Sequence, residues 1–423
     1  VDDRLRALER AARSAPGDRE AAWAFVRALE QAGDARAAWS ERCRLMRAGD
    51  AQAWREVSPA RRGAVSLEVG AARSFPRGVG EVCGDGRTVF VSDDTTVQAL
   101  DARSLETSWS VEARGPEPGA LWGPYLVHVA PQGSTLVVRA RDDGAEVASI
   151  ALPPRSDIGK VLATPGQLVA VWDRQDDDRP DELFVIDIAD GAIAESRVRH
   201  WPEASGLTLP IAARDVVLQP SPRGSTIAYD LASSRVRWSH EGVPAQADAH
   251  DAILHVREGR SILELSCVDL SLGRLRWSRR VEGAAGAFEL GPDLVIVAEM
   301  LSQARAARAN LEVDALDRST GELRWSLRDL VGSHVVADVA AADGVVYVAY
   351  GASWVADDHT RGFDDLTILC VDSRTGERVG APCRVIGPAE RPILRATLVP
   401  VDGGVLVTVR SHHGTWLGRV GER

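Results

Sequence analysis

The sequence predicts a mainly β chain of tandem four-stranded repeats closed into a β-propeller, behind a short α-helical head. Three observations carry this. A helical period in the first 60 residues disappears by residue 80, where runs of Val, Leu and Ile alternate with clusters of Gly, Asp, Ser and Pro. One phrase then recurs as VQALDARSLETSW (97–109), TIAYDLASSRVRW (226–238), SCVDLSLGRLRW (266–277) and VDALDRSTGELRW (313–325). With three degenerate copies included, seven copies stand 39 to 55 residues apart, a length that suits one four-stranded blade.

A chain of 423 residues outgrows one ordinary core unless repeats spread the core along it. Apolar residues make up 45% and charged residues 26%, a balance that folds rather than stays disordered. The net charge of −11 is uneven: residues 1–62 carry 13 Arg against 10 acids, so the head is +3 and the remainder −14. An acidic main body repels phosphate, which argues against nucleic acid as a partner. No window approaches the roughly 18 apolar residues of a membrane span, and no signal peptide is legible in the Arg- and Glu-studded start. The five cysteines contain no CxxC pair, so neither a disulfide framework nor a zinc site is expected. A cytoplasmic location follows as the expectation, or a periplasmic one if a leader has been removed.

In the head, Leu5, Leu8 and Ala12 fall at helical spacing, and Asp18 is placed to cap a helix carrying Ala22, Trp23, Phe25, Val26 and Leu29 that ends at Gly33. Asp34 opens a third helix through Trp39, Cys43, Leu45 and Met46. Asp50 opens a short fourth, with Trp54 and Val57, that stops at Pro59. Three to four helices are therefore expected over 1–62, with the tryptophans as their core.

The repeats align on Asp101, Ala140, Asp187, Asp230, Asp269, Asp317 and Asp372, and Ala140 is the one anchor that is not Asp. Four residues on stand Gly144, Gly191, Gly273, Gly321 and Gly376, where a tight hairpin wants a left-handed backbone. Eight residues on come Trp109, Trp238, Trp277 and Trp325, large rings able to wedge between neighbouring blades. Two residues before the anchor the side chain is small: Ala99, Val138, Val185, Ala228, Cys267, Ala315 or Cys370.

The pattern of strand, Asp, Gly turn and closing Trp resembles the pyrroloquinoline-quinone-type propeller repeat over about 340 residues, and the stretch APGDREAAWAFVRALEQAGDARAAW (15–39) resembles tetratricopeptide-type hairpins and small repeat-companion domains. After the seventh copy, RATLVPVD, GGVLVTVR and TWLGRVGE supply three strands. The segment AVSLEV (64–69) is available as the fourth, pairing with the C-terminal strands to close the ring. The expectation is a propeller of residues 63–423 with eight blades, seven being the alternative.

The resemblance raises quinone-dependent dehydrogenases, which hold a calcium through carboxylate and amide ligands and often carry an adjacent cysteine pair. This chain has no adjacent cysteines and only Asn310 as asparagine. The histidines, among them His128, His200, His250, His334, His412 and His413, show no HxH or HExxH spacing, and no GxSxG elbow or Walker loop occurs. No catalytic residue, metal ligand or cofactor is assigned.

The expected activity is instead non-catalytic: a protein-binding scaffold or regulatory subunit that sequesters or presents a partner protein, in a bacterial signalling or defence pathway. The resemblance implies, as an alternative, a periplasmic propeller of the outer-membrane assembly type. Glycine turns on one face place the connections between second and third strands on the other, and three of these are enlarged. The first, 173–181, gathers Asp176, Asp177, Asp178 and Asp181; the second, 302–310, presents Arg305 and Arg308. The third, 353–365, presents Trp354, Asp357, Asp358, Arg361, Phe363, Asp364 and Asp365. Trp354 and Phe363 are the expected anchors for a partner, and cleavage near Arg305 or Arg308 by a basic-specific protease is a further expectation.

Overall fold

In the computed structural model, the described residues are 19–32, 67–76 and most of 79–422, with the single positions Leu5, Ala7, Leu8, Ala11, Ala12, Glu41 and Leu45; the main stretches outside them are 46–66, 113–118, 131–134, 152–159, 173–181, 201–209, 259–261, 303–308, 356–360 and 386–392. Every repeat folds as an antiparallel run of strands in chain order. This gives four-stranded sheets over 83–112, 120–151, 160–200, 211–241, 243–282 and 284–332. The innermost strands touch in sequence, from Cys83–Gly84 through Ala120–Trp122, Lys160–Thr164, Ile211–Ala213, Val243–Ala247, Ala284–Leu290 and His334–Ala342 to Ile393–Val401, which returns to Cys83–Gly84. A closed ring of sheets leaves only outer strands as edges.

The strands form seven hydrogen-bonded sheets, six of four strands and one of nine, so the sheet count is the alternative seven and not the expected eight. The reason is local. The short strand Arg361–Phe363 pairs with the end of Val345–Val355 on one side and, through Phe363↔Ile393, with Ile393–Val401 on the other. It thereby joins a four-stranded run over 334–385 to a second over 393–422. That second run is completed by Leu67–Phe75, which pairs with Gly414–Glu422 from Leu67↔Glu422 to Phe75↔Thr415.

The repeated residues act as one joint between neighbouring sheets. The anchor aspartate caps its turn through Oδ1: Asp269 accepts the amides of Ser271 (3.0 Å) and Leu272 (2.9 Å), and Asp317 those of Ser319 and Thr320 (both 2.9 Å). Each tryptophan then lays its ring on the turn glycine of the next sheet and donates its indole N–H to that turn. Trp238 bonds to the Leu270 carbonyl (2.8 Å), Trp277 to Arg318 (2.8 Å), Trp325 to Ser373 (2.9 Å) and Trp109 to Arg141 (2.8 Å). The small residue two before the anchor stands opposite the tryptophan in register, as in Ala228↔Trp238, Cys267↔Trp277 and Ala315↔Trp325, and a β-bulge follows at once. Burial there pushes the Cys267 thiol up to about 12, so it serves packing.

At the ring's seam the joint is different. Leu67–Phe75 brings no tryptophan. Arg73 instead donates to Thr107 Oγ1 (2.7 Å) and Gln98 Oε1 (2.9 Å) of the 83–112 sheet. The turn position is Leu105 at φ 57°, buried among Val401, Leu406 and Leu417.

The head is corrected by the structure. One helix is described, Arg19–Gln31, with no helical hairpin of the tetratricopeptide type among the described residues. Its apolar face, with Ala22, Trp23, Phe25, Val26 and Leu29, packs with Ala12 and Leu45 in a cluster that also contains Ala341 of the propeller's inner strand His334–Ala342. The helix spends that face on the propeller as well as on its own neighbours. Trp39, Cys43 and Trp54 lie outside the described residues.

Candidate functional site

Most of the predicted site residues fall on stretches outside the description: Asp176, Asp177, Asp178, Asp181, Arg305, Arg308, Asp357, Asp358 and Asp364. The strands that border the first two of these stretches pair up to their ends, at Trp172↔Glu182 and Ser302↔Ala309. The third predicted loop is in part a hairpin. Val345–Val355 runs past its sheet and pairs as Ser353↔Phe363, Trp354↔Gly362 and Val355↔Arg361. Phe363 packs against the apolar core of the nine-stranded sheet. Asp365 fixes the hairpin's base, accepting the Ala352 amide on Oδ1 (3.1 Å) and pairing with Arg384 (3.7 Å). The base is tight, because a Cβ on Gly351 would lie 2.0 Å from the Asp365 carbonyl oxygen.

The turn face carries a cavity of about 1060 Å³ at the mouth of the central channel, bordered by Glu289, Ala341, Asp248, Arg318, Arg374 and Pro400 among others. Some of its charged groups are bound to one another across sheets. Arg318 follows the anchor Asp317 and reaches into the 243–282 sheet, with Nε on Asp251 Oδ2 (2.8 Å), Nη2 on Asp248 Oδ1 (2.8 Å) and Nη1 on the Gly291 carbonyl (3.0 Å). Burial works against charge on Asp248, but Arg318 and the amides of Asp251 and His250 outweigh it and hold the carboxyl below its ordinary value. The same construction recurs between the first two sheets. There Arg141, following the anchor Ala140, ion-pairs with Asp85 and donates to the Gly123 carbonyl (2.7 Å).

Below the mouth, the inner strands exchange side-chain bonds. Gln246 donates from Nε2 to Glu289 Oε2 (3.0 Å) and accepts the Leu290 amide, while Asp338 accepts the Leu398 amide (2.8 Å). Burial, with Asp338 adding to it, pushes the Glu289 carboxyl up to about 7 against its bonds to Gln246 and the Ala341 amide. Burial likewise raises Asp338. Sequence reasoning missed these residues. For the arginines a signal exists: Arg141 and Arg318 stand where the aligned repeats carry Ala102, Leu231, Leu270 and Ser373, and a charge at a buried repeat position needs a partner. Gln246, Glu289 and Asp338 carry no comparable mark. Among the described residues, no three His, Cys, Asp or Glu side chains converge as a metal would need, and no helix is long and apolar enough to cross a membrane.

A family model described as "Outer membrane protein assembly factor BamB" (PQQ_2) matches residues 74–240. No curated protein matches the chain in sequence. Among solved structures, BamB from Moraxella catarrhalis is 15% identical with a TM-score of 0.52, covering 84% of this chain and 100% of its own. Saccharomyces cerevisiae Sqt1 is 10% identical with a TM-score of 0.54, covering 85% and 99%. The quinohemoprotein alcohol dehydrogenase from Comamonas testosteroni is 11% identical with a TM-score of 0.50, covering 84% and 77%. At these identities the likeness concerns the fold, which an assembly factor and a dehydrogenase share. The chain is a β-propeller whose residues 74–240 match the PQQ_2 family of BamB-type propellers.

Proposed function

We propose that the chain is a non-catalytic protein-binding scaffold or regulatory subunit that holds a partner protein on the face opposite the glycine turns. The hairpin at 353–363 carries this reading. It is a projecting element seated on two strand runs at once, and Trp354 pairs with Gly362 in alternation with the Ser353↔Phe363 pair whose phenylalanine faces the core. Asp357, Asp358, Asp364 and Asp365, with Asp176, Asp177, Asp178 and Asp181, give that face an acidic character suited to a basic partner, beside Arg305, Arg308 and Arg361. Support for a binding role over catalysis comes from the channel mouth, where Arg318, Asp248 and Asp251 are bound to one another.

We read the two halves of the nine-stranded sheet as two blades, eight in all, with residues 1–62 as a separate helical head. The ring of innermost strands supports that count. A second reading, a periplasmic propeller of the outer-membrane assembly type, is favoured by the family match over 74–240; the first places the chain in cytoplasmic signalling or defence.

The test is affinity capture from native extract with the wild type, Trp354→Ala and Phe363→Ala. A stoichiometric partner lost with Trp354→Ala at unchanged melting temperature supports the scaffold, and Phe363→Ala is expected to lower the melting temperature as well. Capture of outer-membrane assembly proteins selects the second reading. Retention of the partner by Trp354→Ala removes the hairpin from it, and a stoichiometric metal or quinone chromophore on the purified chain overturns the non-catalytic assignment.

A further inference from the structure

One junction at the channel mouth lacks a contact that the repeat supplies elsewhere. At two other junctions the residue after the anchor is an arginine that crosses to an aspartate in the previous sheet's first turn: Arg141 reaches Asp85, and Arg318 reaches Asp248. Asp85 and Asp248 hold the same place in their turns, each donating its amide to the carbonyl three residues on, Thr88 (3.1 Å) and Asp251 (3.0 Å). Between the 284–332 sheet and the run over 334–385 both partners are replaced by small residues. Gly291, whose amide bonds to the Leu294 carbonyl (2.8 Å), stands for the aspartate, and Ser373 stands for the arginine. Both border the cavity, and the Ser373 hydroxyl is buried without a hydrogen-bond partner among the described residues.

We propose that this unbridged junction binds a small zwitterion of the amino-acid or short-peptide class, its carboxylate on Arg374 and Ser373 and its ammonium on Glu289. The site is distinct from the face assigned to a partner above, so neither reading rests on the other.

The charges around the cavity select the ligand. Arg318 is taken up by Asp248 and Asp251, and Arg276 by Asp251 (2.6 Å) and Asp269 (3.0 Å). Arg324 binds Asp317 (3.0 Å) with Asp293 beside it, and Asp85 is held by Arg141. His250, exposed at the rim, meets Asp248 through its amide (2.8 Å). Two charged groups are left over. Arg374 is exposed, and its guanidinium makes no hydrogen bond or ion pair among the described residues; only its amide is used, on Asp372 Oδ1 (2.9 Å). Glu289 meets the amides of Gln246 and Ala341 but no cation, and it does not pair with Arg374. A free guanidinium takes a carboxylate in a two-bond fork, and a carboxyl without a cation takes an ammonium. A ligand with the anion alone would leave Glu289 unmatched, and one with the cation alone would leave Arg374 so. Pro292, Val399 and Pro400 add an apolar wall for a side chain, and a cavity of about 1060 Å³ has room for a dipeptide.

Equilibrium dialysis of the full chain at near-neutral pH against L-leucyl-L-leucine, its N-acetyl form and its C-terminal amide tests this. The wild type is expected to bind the free dipeptide and to bind each capped form about tenfold or more weakly. Arg374→Gln is expected to weaken the free dipeptide to the level of the amide at unchanged melting temperature, since the side chain is exposed. Glu289→Gln is expected to weaken it to the level of the N-acetyl form. Restoring the bridge with Gly291→Asp and Ser373→Arg together is expected to abolish binding and raise the melting temperature. Absence of binding to the wild type at millimolar dipeptide overturns the site. Equal binding of the capped forms overturns the zwitterion, and full binding by Arg374→Gln overturns the carboxylate's place, whether or not the other variants fold.

Discussion

Replacing Gly273 with Ala tests the joint between sheets most directly. Gly273 has φ +67°, a left-handed backbone that costs an alanine about 1 kcal/mol. The added Cβ would also lie 2.4 Å from Trp238 Cγ and 2.5 Å from its Cβ. Trp238 is buried and tied to the Leu270 carbonyl, so the ring cannot swing aside without losing that bond. Overpacking of this kind costs about 1–3 kcal/mol, which brings the total to about 2–4 kcal/mol. Gly123 supplies the control. Its φ is +53°, but a Cβ there meets nothing within 4 Å, so Gly123→Ala is expected to lose only the backbone part, about 1 kcal/mol. Equilibrium urea unfolding, followed by far-UV circular dichroism and tryptophan fluorescence, compares the two. If Gly273→Ala loses no more than Gly123→Ala, ring-on-glycine contact is not what joins the sheets.

Three further outcomes are expected. Trp325→Phe keeps a ring on the next turn but leaves the Ser373 carbonyl without its donor, a loss of about 1–3 kcal/mol in the same unfolding assay. Arg318→Met removes the only cation bonded to both Asp248 and Asp251 among the described residues, so stability at neutral pH is expected to fall by about 3 kcal/mol, with the deficit shrinking as acid neutralises Asp248. His128 is buried, donates from Nδ1 to the Val129 carbonyl (3.2 Å) and accepts Arg139 Nε on Nε2 (3.1 Å), so it is held neutral. Burial, opposed by the Val129 carbonyl, lowers its pKa below the ordinary 6.5. The unfolded chain then binds the extra proton first, and stability present above pH 6.5 is lost as the pH falls through it. His128→Gln is expected to flatten that part of the melting-temperature profile, and an unchanged slope assigns it to other groups.

The propeller was legible because its information is local and repeated. An anchor aspartate caps its own turn two and three residues on, a glycine takes the left-handed position, and a tryptophan eight residues on faces a small residue fixed by strand register. Each element sits within a dozen residues of the others, so Asp269, Gly273 and Trp277 announce the turn, the joint and the strand order together. What the tertiary structure alone decided is where distant stretches meet. The strand Arg361–Phe363 fuses two runs because Phe363 happens to reach Ile393, and no short-range pattern encodes that. The helical head's apolar period called for burial but not for a place, and the structure gives it Ala341, more than 300 residues away. Likewise Gln246, Glu289 and Asp338 look like ordinary polar residues in their strands; their bonds exist only because ring closure brings four inner strands side by side. Sequence pattern determines what each repeat must bury, while the burial partner of a residue without a repeat equivalent is set by packing across the ring.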